Sequence, residues 1–197
     1  MKLRCCCLAA AMVLSSGCGK EERREAVGFY KVLVEKRAGF AETNGLEKSF
    51  VGSVRSWCES LMANGSGRGA QLAQNASVAR DLAKSAESIS AQVGQVRQAV
   101  YNQTIQKEYP QSIRNALIGQ LTKRQRFLQE LRAGLDDAAA GFESLGQSRE
   151  YKGDSYPNAI GKLNVLVQGY KEPGDAVADA VTALGTKYGI KDADLGT

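Results

Sequence analysis

The fold is decided by residues 72–100, which read LAQNASVARDLAKSAESISAQVGQVRQAV. One set of positions recurs there at alternating steps of three and four, and all but one of its members are apolar: Leu72, Asn75, Ala79, Leu82, Ala86, Ile89, Val93, Val96 and Val100. On an α-helix these positions form a single seam along one side, as in helices that pack like coiled coils. The stretch therefore predicts a long helix packed against others along its length.

The same spacing continues in three further segments. The one that follows carries it through Leu117, Leu121, Arg124, Leu128, Leu131, Leu135, Ala138, Phe142 and Leu145. The first carries it through Ala26, Tyr30, Leu33, Arg37, Phe40, Asn44, Glu47, Val51, Val54, Cys58 and Leu61. The last carries it through Leu163, Val167, Tyr170, Gly174, Val177, Val181, Leu184 and Tyr188. Four long helices with short connections predict an all-α fold, an up-down-up-down antiparallel four-helix bundle with coiled-coil-like packing.

Turn-forming residues separate the four segments. Residues 64–69 read NGSGRG, Pro110 precedes the third seam, and residues 154–157 read DSYP before the fourth. Pro173-Gly174 lies inside the last segment, so the fourth helix is predicted to be kinked or broken there. The first helix is predicted either to be longer than the others or to break near residues 44–45.

The amino-acid composition argues against several classes of function. The chain has no histidine, which removes the commonest general base and most catalytic zinc sites. We therefore predict no enzyme, no metal site and no cofactor. The formal net charge of +5 includes Lys2 and Arg4, and without them it is +3, too little to indicate nucleic-acid binding.

The first eighteen residues have three parts. A basic start, Met-Lys-Leu-Arg, precedes the apolar run 5–14, and Ser15-Ser16-Gly17-Cys18 follows. This ending resembles the lipobox of bacterial lipoprotein precursors. The resemblance implies export, cleavage between Gly17 and Cys18, and lipid on the Cys18 thiol. A plain secretory peptide more usually ends in an Ala-x-Ala pattern, which is missing here.

The resemblance gives the chain a predicted order and location. Residues 1–17 form a signal peptide that is removed, 18–25 a lipidated cysteine with a charged tether, 26–190 one helical domain and 191–197 a tail. Because Gly19 rather than aspartate follows the lipidated cysteine, the predicted location is the outer membrane, on its periplasmic or surface face. The oligomeric state is not predicted.

Four of the five cysteines lie in the predicted signal peptide or at the predicted lipidation site. Three of the five cysteines lie in the leader and Cys18 would carry lipid, so only Cys58 remains. A disulfide within the mature domain is therefore excluded. Cys58 lies on the first seam, which favours a buried, inert thiol over a reactive one.

Polar residues interrupt the seams at one height of the predicted bundle. In antiparallel helices facing residue numbers sum to a constant, which places Asn44, Glu47, Glu87, Arg124 and Asp175 in one layer. Arg124 is expected to pair with Glu47, Glu87 or Asp175, because a buried arginine needs such a partner. The layer is interpreted as a device that holds helix register, as long side chains that merely reach the surface, or as a ligand or ion site.

The loop before the fourth helix is the candidate contact surface. It contains Arg149, Tyr151 and Tyr156, and tyrosine and arginine are favoured at binding hot spots. The alternative is a solvated turn whose tyrosines fold back on the helix ends.

Two functions are compatible with these features. The first is a lipid-anchored, non-enzymatic scaffold or adaptor that binds another envelope protein through its membrane-distal loops. The alternative is a small-molecule- or metal-binding lipoprotein that uses the central polar layer.

Overall fold

The computed structural model describes residues 6–147 and 156–195, with side chains from residue 19 onward except those of residues 192 and 193. These residues form five α-helices and a short 3₁₀ helix: α1 Cys6–Asn64, α2 Ala70–Tyr101, α3 Glu108–Gly146, α4 Tyr156–Gln168, α5 Ala176–Tyr188 and the 3₁₀ helix Asp192–Leu195. No strand occurs among the described residues. The predicted all-helical bundle is confirmed at this level.

The first predicted segment is one uninterrupted helix. α1 runs for 59 residues and passes through Gly45 without a break. A Cβ placed on Gly45 would meet no atom within 4 Å, so this glycine does not mark a close approach of another element. Of the two predicted alternatives, the longer helix is the one observed.

The fourth predicted segment is two helices. Residues 169–175 are not helical, and they separate α4 from α5. Pro173 lies in this break, where it has no N–H to donate and disfavours helical geometry in the residue before it. Asp175 begins α5 as its N-cap, because its side chain accepts a hydrogen bond of 3.0 Å from the Ala178 N–H. The break predicted near Pro173-Gly174 is confirmed.

Glycine supplies the backbone conformations of the turn between α1 and α2. Gly65, Gly67 and Gly69 have φ values of 74°, 74° and 55°. Residues with a Cβ rarely adopt this left-handed region, so the glycine-rich turn ends α1 sharply.

The seams form the core. Phe40, Leu121, Leu131 and Leu163, taken from three different seams, are completely buried in one contiguous hydrophobic cluster. Three seam positions are exposed, namely Arg37, Leu145 and Gly174. An arginine has three methylenes between its Cα and its guanidinium group, which is long enough for the charged group of Arg37 to reach water.

Cross-helix contacts give the directions of neighbouring helices. Arg80 of α2 pairs with Glu143 of α3, whereas Arg114 near the start of α3 donates to the Val100 carbonyl near the end of α2. α2 and α3 therefore run in opposite directions. Arg55 of α1 donates to the Val167 carbonyl of α4 at 2.6 Å, which satisfies an orphan carbonyl in the last turn of that helix.

The predicted charged tether is part of α1 and contacts the bundle. Glu25 accepts hydrogen bonds of 2.9 Å from the backbone N–H groups of Gln106 and Lys107, just before α3. Glu21 pairs with Lys107 at 3.0 Å, and this pairing lowers the pKa of the Glu21 carboxyl. Tyr188 donates to Glu22 at 2.7 Å. Residues 21–25 therefore form one end of the bundle with the α2–α3 loop and the end of α5.

None of the helices within the described ranges has an apolar stretch of the length needed to span a bilayer.

Candidate functional site

A buried ion pair lies at the centre of the bundle. The Arg124 guanidinium of α3 donates to Glu47 Oε2 of α1 through Nε at 3.0 Å and Nη2 at 2.6 Å. The Glu47 side chain is 1% exposed and that of Arg124 is 8% exposed. The pair joins the seam of α1 to the seam of α3.

Tyr170, in the break between α4 and α5, completes this arrangement. Its hydroxyl donates to Glu47 Oε1 at 3.2 Å, so both carboxylate oxygens are used. Burial and the neighbouring Glu47 raise the pKa of the Tyr170 hydroxyl well above its usual range, so the group keeps its proton and remains a donor. We call Glu47, Arg124 and Tyr170 the central polar cluster.

Aromatic rings surround the central polar cluster. The Arg124 guanidinium carbon lies 4.7 Å from the centroid of the Phe40 ring, a cation–π distance. The Phe127 and Tyr170 rings stack with centroids 5.4 Å apart. Burial of the ion pair strengthens its electrostatic attraction and also makes an unpaired polar atom costly.

One donor of Arg124 has no acceptor in the part of the chain that the structure describes. Its Nη1 is buried and makes no hydrogen bond with any described residue. A buried N–H group without a partner costs about 1–3 kcal/mol, and more when the group is charged. The central polar cluster is therefore incomplete as a hydrogen-bonding unit.

A cleft of about 370 Å³ opens beside the cluster. Glu47, Arg124 and Tyr170 all contribute to its wall. Lys123 and Lys171 line it as well, both are exposed, and neither makes an ion pair or a hydrogen bond within the described part of the chain. Since the Glu47 charge is compensated by Arg124, the cleft carries a net positive charge.

A second cleft, of about 620 Å³, adjoins the first along α4. The two share Val165 and Leu166 as lining residues, and Pro157 and Gly161 line the second cleft further along the helix. Val165 is 72% exposed, the largest exposed fraction among the large hydrophobic side chains of the described residues. Together the clefts form one surface, which we call the α4 groove.

The remaining members of the predicted polar layer lie elsewhere. Glu87 is exposed and pairs with Arg132 at 2.9 Å, and Asp175 caps α5. Asn44 is half-buried one turn before Glu47, and its Oδ1 has no partner among the described residues. Of the three candidate partners for Arg124, the structure brings Glu47 to it.

The predicted contact loop is only partly visible. Arg149 and Tyr151 lie outside the described residues. Tyr156 is the first residue of α4, and its ring lies 5.2 Å from that of Phe142 in α3, so it folds back on a helix.

The predicted lipidation site lies on α1. Gly17 and Cys18 are within the helix that begins at Cys6, and the described side chains begin one residue after Cys18. Cys58, in the same helix, is completely buried, as its seam position predicts. Burial raises the pKa of the Cys58 thiol to about 11, which suppresses the nucleophilic thiolate.

Among the described residues, no three cysteine, aspartate or glutamate side chains are grouped as a metal ion requires.

Sequence reasoning missed two features of the site. Tyr170 was predicted on the fourth seam but not in the polar layer. In the structure it lies in the break between α4 and α5, and from there its hydroxyl reaches Glu47. The α4 groove was not expected either. Val165 lies two residues after seam position Leu163, and its exposure beside a lysine-lined cleft depends on how α3 and α4 pack.

The chain matches no protein-family model, no curated protein and no solved structure, so its function is inferred from its own residues.

Proposed function

We propose that this protein is a lipid-anchored, non-enzymatic helical protein of the bacterial cell envelope that binds another envelope protein through its membrane-distal loops. The proposed bundle is up-down-up-down, with α4 and α5 as the two halves of its fourth member. The proposed location is the outer membrane, and the proposed anchor is lipid on Cys18.

The observation that carries the proposal is the position of Cys18 relative to the bundle. Only Gly19 and Lys20 separate it from Glu21, which already pairs with the α2–α3 loop. Lipid on Cys18 would therefore hold this end of the bundle directly at the bilayer. At about 1.5 Å per residue, α1 extends about 70 Å from Cys18 to Asn64 and carries the opposite loops away from the membrane.

The anchor is tested by labelling cells with a fatty-acid analogue. Cys18→Ser is expected to abolish incorporation into the protein and to leave the unprocessed precursor. Cys58→Ser is the matched control and should be labelled and processed normally. Normal processing of the Cys18→Ser chain would refute the anchor.

The partner is tested with a photo-crosslinking residue in place of Tyr151. It should trap one specific envelope protein. The same residue in place of Tyr101, at the end of α2 that lies away from the α1–α2 turn, should not. Tyr101 is a fair control because it is 61% exposed. Equal products from both positions would contradict binding through the distal loops.

A second function, binding of a small molecule beside the polar layer, is favoured by one specific observation. Among the described residues, the cleft at the central polar cluster combines two lysines, neither of which makes an ion pair, with a buried arginine donor that has no acceptor. Its volume falls in the range of about 300–1,000 Å³ that ligand sites occupy. Native mass spectrometry of the purified chain should find a bound species, and the double variant Lys123→Glu/Lys171→Glu should lose it, because both lysines line the cleft.

A further inference from the structure

We propose that the α4 groove binds a single-chain amphiphile with a carboxylate head group, in the manner of a free fatty acid. The head group lies at Lys123 and Lys171 beside the central polar cluster, and the acyl chain follows α4 across Val165 towards Gly161. This inference rests on the second function proposed above and names the ligand class of that site.

The cationic end of the groove determines the head group. Lys123 and Lys171 make no ion pair with any described residue and line the groove beside Arg124, whose Nη1 is buried and has no acceptor among the same residues. A carboxylate supplies two acceptor oxygens and one negative charge, which match the two exposed ammonium groups, and the buried Arg124 adds positive charge behind the wall of the cleft. A cation has no favourable position here, because Glu47 already accepts from both Arg124 and Tyr170.

The apolar end of the groove indicates an acyl chain as the rest of the ligand. Val165 and Leu166 are shared by both clefts, so the apolar surface is continuous with the cationic end. α4 spans roughly 16 Å from Pro157 to Gln168 at about 1.5 Å per residue, which gives an elongated rather than a round site. An exposed valine costs free energy in water, and an acyl chain laid across it recovers that loss.

Gly161 keeps the groove open. A Cβ at this position would meet no atom within 4 Å, so a larger side chain fits without disturbing the core. Leucine there would fill the space that the acyl chain uses. Gly119 of α3 has equally open surroundings and lies outside the groove, so it provides a matched control.

The experiment uses the full chain in isolated membranes of producing cells and a hexadecanoate probe with a photoactivatable diazirine in its chain. Crosslinks are expected on the peptide that contains Val165 and Leu166. Gly161→Leu should reduce their yield about tenfold, the loss expected for one or two methylenes of contact, and Gly119→Leu should not. Competing saturated fatty acids should gain about fourfold in potency per added methylene until the groove is filled.

The head group is tested by competition with the methyl ester of hexadecanoate. The acid should compete better than the ester, and the preference should disappear in Lys123→Glu/Lys171→Glu but persist in Lys31→Glu, a control at an exposed lysine of α1. Equal competition by acid and ester in the unmodified chain would overturn the assignment of the head group.

Two further results would refute the proposal in different ways. Crosslinks spread evenly over exposed apolar side chains such as Met62, or insensitive to Gly161→Leu, would exclude the α4 groove as a site. Competition by butyrate as strong as that by hexadecanoate would retain a carboxylate site at the central polar cluster and exclude the acyl chain.

Discussion

Replacing Glu47 with glutamine removes the charge that compensates Arg124 while keeping the size of the side chain. The loss is large because both groups are buried: Glu47 is 1% and Arg124 8% exposed. The new amide also turns an N–H donor towards donors of Arg124 or Tyr170. Breaking a buried pair in this way costs about 3–5 kcal/mol, and we expect Glu47→Gln to lower the free energy of unfolding by that amount.

The assay is urea unfolding of the chain from residue 19, followed by far-ultraviolet circular dichroism. The matched control is Glu143→Gln, which breaks the Arg80–Glu143 pair. That pair has the same 2.6 Å separation, but its side chains are 55% and 39% exposed, so its loss should cost about 1 kcal/mol or less. The comparison isolates burial as the cause.

The double variant Glu47→Leu/Arg124→Leu separates pairing from packing. It leaves no buried charge, so its stability should lie within about 2 kcal/mol of the unmodified chain, well above that of Glu47→Gln. A Glu47→Gln chain that loses no more stability than Glu143→Gln would refute the reasoning. So would a double variant that is less stable than Glu47→Gln.

Three further predictions concern the helices and Cys58. Gly119→Ala should raise the free energy of unfolding by about 0.5–1 kcal/mol, because helix interiors favour alanine. Gly134→Ala should lower it, because its Cβ would lie 2.8 Å from the buried side chain of Leu163 in α4. Thermal unfolding of the two variants distinguishes the signs. Glu25→Ala should cost about 1–2 kcal/mol, since it removes two charge-assisted bonds at the start of α3, and exposed Glu42→Ala should cost close to zero in the same urea titration. Burial raises the pKa of Cys58 to about 11, so its thiol should resist alkylation at pH 8 in the folded chain. The protonated thiol favours the folded state at pH values below its unfolded-state pKa near 9, and this contribution to stability should be lost as pH rises from about 9 to 11. Rapid labelling of Cys58 in native buffer, at the rate seen in urea, would contradict its burial.

The helices were predictable because their signal is local. The step of three and four along residues 72–100 depends only on helix geometry, and so does the burial of Cys58 on the first seam. The break at Pro173 was predictable for the same reason, since proline acts on its immediate neighbours. Arg37 shows the limit, because its seam position did not bury a side chain long enough to reach solvent.

The candidate site was predictable only in part. Antiparallel counting brought Glu47 and Arg124 to the same height, but it placed Glu87 and Asp175 there too. Counting gives height along a helix and not rotation around it, and Glu87 faces solvent from the exposed side of α2. Asp175 was lost to the layer for another reason: the break made it the N-cap of α5.

The sequence by itself determined the helices, the turn at residues 64–69 and the absence of any histidine chemistry, because these follow from residue type and short-range spacing. Only the tertiary structure decided that Tyr170 joins Glu47 and Arg124, that Arg124 Nη1 has no acceptor among the described residues and that the α4 groove exists. Each of these depends on the rotation and separation of helices distant in sequence. Packing of whole surfaces decides those quantities, and no short stretch of residues encodes them.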